Sequence, residues 1–302
     1  MSHIHKDLYQ VVTDQIIAAL EAGTPPWVCP WARSPGDSLP ANLATGRQYR
    51  GINTILLNMQ TMAHGYAQNR WLTFHQALSL GACVRKGSTG TGIVFFKMLE
   101  CDRDQRAAND AVTRKVIPLL RSFTVFNAAQ IDNLPEALTA APATPEGWSP
   151  IEAAEELLTR SGAVIGHGGD RAFYRPSDDV IQLPMPGAFP LASRYYNVAL
   201  HELTHWTGHA SRCNRVLSSR ANMDSYAHEE LVAELGSAFL SSHCGLPSEL
   251  QHATYIETWL QALKGDKRLI FSAASMAQKA ADFLLPVPAT ETVAPAAELE
   301  AA

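Results

Sequence analysis

The sequence has no long uninterrupted apolar run, which excludes an ordinary membrane-spanning helix. Its opening residues, MSHIHKDLYQ, lack the basic-then-apolar order of a secretion signal. Cysteine is scarce. The five residues, Cys29, Cys83, Cys101, Cys213 and Cys244, are odd in number and never spaced as CxxC. That pattern excludes a disulfide framework and fits reduced thiols in the cytoplasm, away from membranes. No internal repeat is present. The first half has no clustered acidic pair of the kind a two-metal nuclease or primase centre needs.

What is present is enough for two globular domains: 302 residues, 46% of them hydrophobic. The net charge of -5 hides an asymmetry. Residues 1–140 carry 13 basic and 10 acidic side chains, whereas residues 141–302 carry 11 and 19. A slightly basic first half suits a polyanion, and an acidic second half does not.

The pattern along the chain predicts an α+β protein of two domains. Residues 1–137 form the first, the Pro-, Ala- and Thr-rich stretch 138–150 is a linker, residues 151–285 form the second, and 286–302 make a disordered tail. In the first domain, Leu8, Val12, Ile16 and Leu20 recur at helical spacing up to Gly23. Further helices are expected over 53–64 and 73–80, the latter capped by Thr73, and strands over 93–98 and 122–126. Pro25 and Pro26 leave Trp27 and Trp31 in a loop. In the second domain, helices are expected over 150–160, 194–207, 226–243 and 248–262, with strands at 163–165 and 180–183. Residues 175–181, after Tyr174, read as an edge strand of the kind that holds a peptide backbone.

The strongest chemical signal is His201-Glu202-Leu203-Thr204-His205. In a helix, positions i and i+4 share one face, so two neutral imidazoles chelate Zn²⁺ from one rigid element. Glu202 sits where it can take a proton from a water activated by the metal. Gly208 ends the helix. The third ligand is less direct. A third histidine three residues beyond Gly208 is ruled out, because that position is Ser211. His209, Asp224 and His228 match no established spacing.

A glutamate on the next helix is the better candidate, from Glu229 or Glu230 in EELVAE. Glu229 lies in line with Ala233 and Gly236, whose small side chains permit close approach, and is the preferred ligand. Glu230 shares a more polar face with Glu234, Ser237 and Ser241 and is the alternative. Tyr174, Tyr195 and Tyr226 are candidates to stabilise an oxyanion. Zn²⁺ is the expected ion, with Mn²⁺ or another divalent metal also compatible.

In the first half, arginines and lysines alternate with Trp27, Trp31, Tyr49, Tyr66, Trp71 and Phe74. Basic groups answer phosphates and aromatic faces stack on unpaired bases, so the combination fits single-stranded nucleic acid without base readout. The glycine-rich segment 87–92 has no GK[ST] and precedes a strand, so it reads as a turn rather than a phosphate loop.

These stretches carry a resemblance. WVCPW (27–31), YRGIN (49–53), WLTFHQALSL (71–80), VRKG (84–87) and VFNAAQ (125–130) resemble the N-terminal domain of ArdC-type antirestriction proteins, related to TraC-type primases. HELTHWTGH (201–209) and EELVAE (229–234) resemble the zincin-like metallopeptidase domain that often follows it. The resemblance implies single-stranded DNA binding, carriage on a mobile element and protection of incoming DNA from host restriction. Arg33, Arg47, Arg50, Arg85 and Lys86, with Trp27 and Trp31, flank the family-like stretches and are the expected DNA contacts. A metallopeptidase acting on a host restriction protein is the expected activity. The rival is a DNA-binding shield whose metal site is structural.

Overall fold

The computed structural model describes residues 7–27, 39–101, 115–139, 150–217, 223–247 and 255–285. Helix α1 (Leu8–Glu21) starts where the Asp7 carboxylate accepts the backbone N–H groups of Tyr9 and Gln10. Strand β1 (Ala41–Asn42) leads through a turn to α2 (Ile52–His64), which ends at Gly65 in the left-handed conformation. Strand β2 (Arg70–Thr73) runs directly into α3 (Phe74–Ser79). Thr73 and Gln76 form the reciprocal cap that the sequence suggests at Thr73.

Two long strands, β4 (Thr91–Cys101) and β5 (Lys115–Asn127), pair antiparallel from Thr91↔Val125 to Cys101↔Lys115. They extend well beyond the expected 93–98 and 122–126. The sheet order is β1-β2-β5-β4. A small antiparallel pair joins β3 (Cys83–Val84) to β6 (Ile131–Asp132). Short helix α4 (Glu136–Thr139) then reaches into the expected linker, of which residues 140–149 lie outside the described residues.

The second half opens with α5 (Pro150–Ser161) and a three-stranded sheet of β7 (Val164–His167), β8 (Phe173–Arg175) and β9 (Val180–Leu183), ordered β7-β9-β8. Four helices follow: α6 (Ala192–Thr207), α7 (Met223–Cys244), α8 (Ile256–Gly265) and α9 (Leu269–Leu284). The mixed helix and strand content makes the molecule α+β. Among the described residues, no helix is long and apolar enough to cross a membrane. Cys83, Cys213 and Cys244 are free thiols.

Three expectations are corrected. Residues 175–181 are not an edge strand: β8 ends at Arg175, a turn follows, and β9 is the central strand of its sheet. Helix α9 was not expected at all. Its apolar stripe is Ala273, Ala274, Ala277 and Ala281, flanked by Ile270 and Leu284. Alanine carries a weak hydrophobic signal but lets a helix lie close to its neighbours. Third, Trp27 lies in a turn outside any helix, as expected, but it is buried edge-on against Trp259 of α8 instead of presenting a face to a base. Val12, Ile16 and Leu20 of α1 and Ile55 of α2 join the core formed by α5 to α9. The expected division at 138–150 is therefore not a break in packing. The expected tail, 286–302, lies outside the described residues.

Helices α6 and α7 pack closely at Gly236. A Cβ there would fall 2.4 Å from Thr204 Cγ2 and 2.9 Å from Thr204 Oγ1. Thr204 cannot swing aside freely, because its hydroxyl donates to the Leu200 carbonyl at 2.8 Å. Gly→Ala in a helix ordinarily gains about 1 kcal/mol from propensity, while overpacking costs about 1–3 kcal/mol. Contacts this short place Gly236→Ala at the upper end of the cost. We expect it to lose about 1–2 kcal/mol net in urea denaturation. Adding Thr204→Ala should restore most of that loss, and failure to restore it would show that the two helices do not meet here.

Candidate metal centre

The HExxH segment lies on α6 with both imidazoles facing α7. Nothing between Ala192 and Thr207 breaks the helix, and Gly208 caps it, as the sequence indicates. His201 and Glu202 are buried and His205 nearly so. The two rings stand edge-to-face, with centroids 4.9 Å apart.

Glu230 completes the group. Ligand atoms of His201, His205 and Glu230 all lie within 4.8 Å of one another. Its carboxylate is 3.6 Å from His201 Nε2 and 3.7 Å from His205 Nε2. Metal–donor bonds of about 2.0–2.1 Å in a tetrahedral site put donors roughly 3.3–3.4 Å apart. The spacing and the His₂Glu chemistry therefore fit a divalent ion.

The sequence preference for Glu229 as ligand does not match this geometry. Glu229 Oε1 accepts a bond from His205 Nδ1 at 3.1 Å, on the side of the ring away from Glu230. That bond fixes the His205 tautomer and leaves Nε2 with its lone pair for the ion. Arg215 grips the same carboxylate in a fork, with Nε 3.0 Å from Oε2 and Nη2 2.8 Å from Oε1. Arg215 also donates to the Thr204 carbonyl and the Thr207 hydroxyl, so it ties the chain after α6 back onto the helix. Sequence reasoning missed Arg215. Its only cue is that a buried Glu229 needs a cation.

With protein groups alone, the charges are strongly coupled. Burial pulls the His205 pKa down, but the Glu229 bond and the charges of Glu229, Glu202 and Glu230 outweigh it and push it to about 9. Burial raises Glu230, yet the His201 bond, the two histidine charges and a bond from Tyr226 bring it to about 2. Burial likewise raises Glu229, and the His205 and Arg215 bonds hold it below the ordinary glutamate value. Both carboxylates are thus ionised and ready to meet a cation.

Of the three tyrosines, Tyr226 reaches the centre, through its bond to Glu230 one helical turn on. Tyr174 donates to Asp179 at 2.8 Å, and Asp179 is clamped by Arg212, whose guanidinium lies 3.7 Å above the Trp206 ring. Tyr195 is buried with its hydroxyl 2.8 Å from His167 Nε2. Neither is available as an oxyanion donor. His209 bonds Ser211 beyond the helix end, His228 is not part of the ligand group, and the Asp224 side chain lies outside the described residues.

The expected DNA contacts are scattered. Arg33 and Trp31 lie outside the described residues. Trp27 and Trp71 are buried, which removes them as stacking platforms, whereas Phe74 is half exposed. Arg50 is paired with Asp282 of α9, and Arg85 with Asp132 at 2.9 Å. Arg47 and Lys86 are exposed.

Comparison with known proteins agrees with this layout. Residues 6–126 match the family described as the N-terminal domain of anti-restriction factor ArdC, and residues 152–276 match the zincin-like metallopeptidase family. Two Escherichia coli proteins, each a DNA primase TraC, are 43% and 42% identical over 94% and 93% of this chain. The chain spans only 28% and 20% of their lengths. The metal-free crystal structure of the antirestriction protein ArdC from plasmid R388 is 44% identical. It superposes with a TM-score of 0.76 over 92% of this chain and 96% of that one. The Mn(II)-bound structure of the same protein gives 0.73 at 42% identity, over 92% of this chain and 97% of that one. With identity and fold shared across nearly the full length of that protein, this chain belongs to the ArdC family of antirestriction proteins.

Proposed function

We propose that this protein shields DNA entering a cell from restriction, holding it as a single strand through the N-terminal half. In this reading the zincin-like half is a metal-dependent peptidase acting on a host restriction protein. The observation that carries it is the grouping of His201, His205 and Glu230, the first and last buried and His205 largely so, with Glu202 on the helix of the two histidines.

His201, His205 and Glu230 hold the ion, with Zn²⁺ proposed and the Mn(II) of the R388 protein as precedent for another divalent metal. An ion held there would supply Lewis acidity for peptide hydrolysis by water. Glu202 accepts the water's proton and returns it to the departing amine nitrogen. Glu229 and Arg215 keep His205 in the tautomer that presents Nε2, and Tyr226 orients Glu230. The intact Glu202 favours catalysis over a purely structural site, which has no need of a base.

Two outcomes follow from this assignment. Glu230→Ala should purify without stoichiometric metal. Glu229→Gln should still bind one ion per chain, with affinity lowered about 10–100-fold because only the bracing of His205 is lost. Metal titration of both variants checks this, and the reverse pattern would reinstate Glu229 as ligand. Glu202→Gln should retain metal and DNA binding, yet lose cleavage of a restriction subunit co-incubated with the protein. Antirestriction undiminished in that variant would leave the DNA shield as the function and the metal site as structural.

A further inference from the structure

The chain turns back on itself after α1. Gly23 has a φ of 72°, which frees the backbone to leave the helix, and the next two prolines, Pro25 and Pro26, are buried with φ held by their rings. This short, stiff tether delivers Trp27, 4% exposed, to α8. Its ring meets Trp259 edge-on, with centroids 5.8 Å apart and planes at 73°. Trp259 is fully buried, and its indole N–H donates to the Ala227 carbonyl of α7 at 3.0 Å. A residue of the first half thus packs on the side chain that joins α8 to the helix carrying Glu230.

From Trp259 the contacts run on to the metal centre. Tyr255 stands four residues before Trp259, so the two side chains share a face of α8. Their ring centroids are 6.2 Å apart, with planes at 30°. The Tyr255 ring lies 5.8 Å from that of Tyr226, and its hydroxyl donates to the Tyr226 hydroxyl at 3.4 Å. Tyr226 stands four residues before Glu230 on α7 and bonds its carboxylate. Four aromatic rings in succession therefore lead from Trp27 to Glu230.

Aromatic side chains are stiff, and a close-packed interior transmits a displacement instead of absorbing it. The last link is polar and directional: the Tyr226 bond fixes which way the Glu230 carboxylate points. A ligand held in place binds its ion more tightly than one free to turn. We infer that Trp27 is a positioning residue for the metal centre, acting through Trp259, Tyr255 and Tyr226 on the Glu230 carboxylate. This role rests on Glu230 as a ligand, and on neither the peptidase nor the DNA reading. The tryptophan expected to stack on DNA would thereby serve the other half of the chain.

The test is the affinity of the full chain for Zn²⁺, measured by competition with a chromophoric chelator. Tyr226→Phe should lower it about tenfold by releasing Glu230. Trp27→Leu keeps an apolar side chain but loses the ring on Trp259, and should lower it roughly fivefold. Trp27→Phe, which restores a ring, should recover most of that loss. In the Tyr226→Phe background, Trp27→Leu should cost little more, because the link it acts through is already cut. Equal losses in both backgrounds would mean a general loosening of the core and would overturn the role of Trp27. Unchanged affinity in Trp27→Leu would overturn it too. If Glu230→Ala binds Zn²⁺ as tightly as the unaltered chain, the ligand assignment fails and takes this role with it. If Glu230→Ala loses the ion while Trp27→Leu holds it fully, only this role fails.

A measurement on the unaltered chain decides the matter should Trp27→Leu fail to fold. Coupling is reciprocal, so an ion held by Glu230 must in turn favour the seated Trp27. Zn²⁺ should therefore slow amide hydrogen exchange at Trp27. It should leave α3 unchanged, because that helix packs in a separate small cluster with Leu72 and Ile131. Exchange slowed equally at both places, or at neither, would overturn the inference.

Discussion

The contact between Gly236 and Thr204 sets the distance between α6 and α7, and the rest of the centre depends on that distance. A larger side chain at 236 would push the helices apart, and the carboxylates of Glu229 and Glu230 would leave the histidines they face. The same seam is fastened further along by polar groups. Ser237 donates to the Asn197 carbonyl at 3.1 Å and Ser241 to Asn197 Oδ1 at 2.6 Å. A polar seam is directional, so it fixes the rotation of α7 against α6 as well as the spacing.

That rotation places two adjacent glutamates on two different tasks. Glu230 meets the Nε2 edges of the histidines and Glu229 the Nδ1 edge of His205. Burying several carboxylates together costs several kcal/mol each unless cations answer them. Glu202, Glu229, Glu230 and Glu234 are all buried here. Arg215, itself only 4% exposed, answers Glu229, and a divalent ion would answer Glu230. The close grouping of two imidazoles and a carboxylate, with donor spacing that suits one ion, is the physical ground for reading it as a metal centre rather than a polar core.

Much of this was legible in the sequence. The helix expected over 194–207 and found over 192–207, the i and i+4 histidines, Gly208 and the Thr73 cap are local features with local causes. The small residues at 233 and 236 correctly signal close approach of the two helices. The preference for Glu229 came from setting Glu230, Ser237 and Ser241 aside as the more polar face, when that face is buried and its serines bond Asn197. Polarity alone does not distinguish water from a polar partner helix. The pairing of Arg50 with Asp282 and the burial of Trp27 against Trp259 were hidden for a similar reason: each partner lies more than two hundred residues away in sequence. Helix α9 was missed because alanines that pack tightly look unremarkable in a hydropathy pattern.

The central claim is that α7 supplies the third ligand through Glu230 while Glu229 holds His205 from behind. Crystals of the Zn²⁺-loaded protein, with anomalous scattering recorded at the zinc edge, test it most directly. The account predicts one anomalous peak within bonding distance of His201 Nε2, His205 Nε2 and a Glu230 oxygen, with Glu229 still bound to His205 Nδ1 and Arg215. A peak bonded to Glu229, or none between the two histidines, would contradict it.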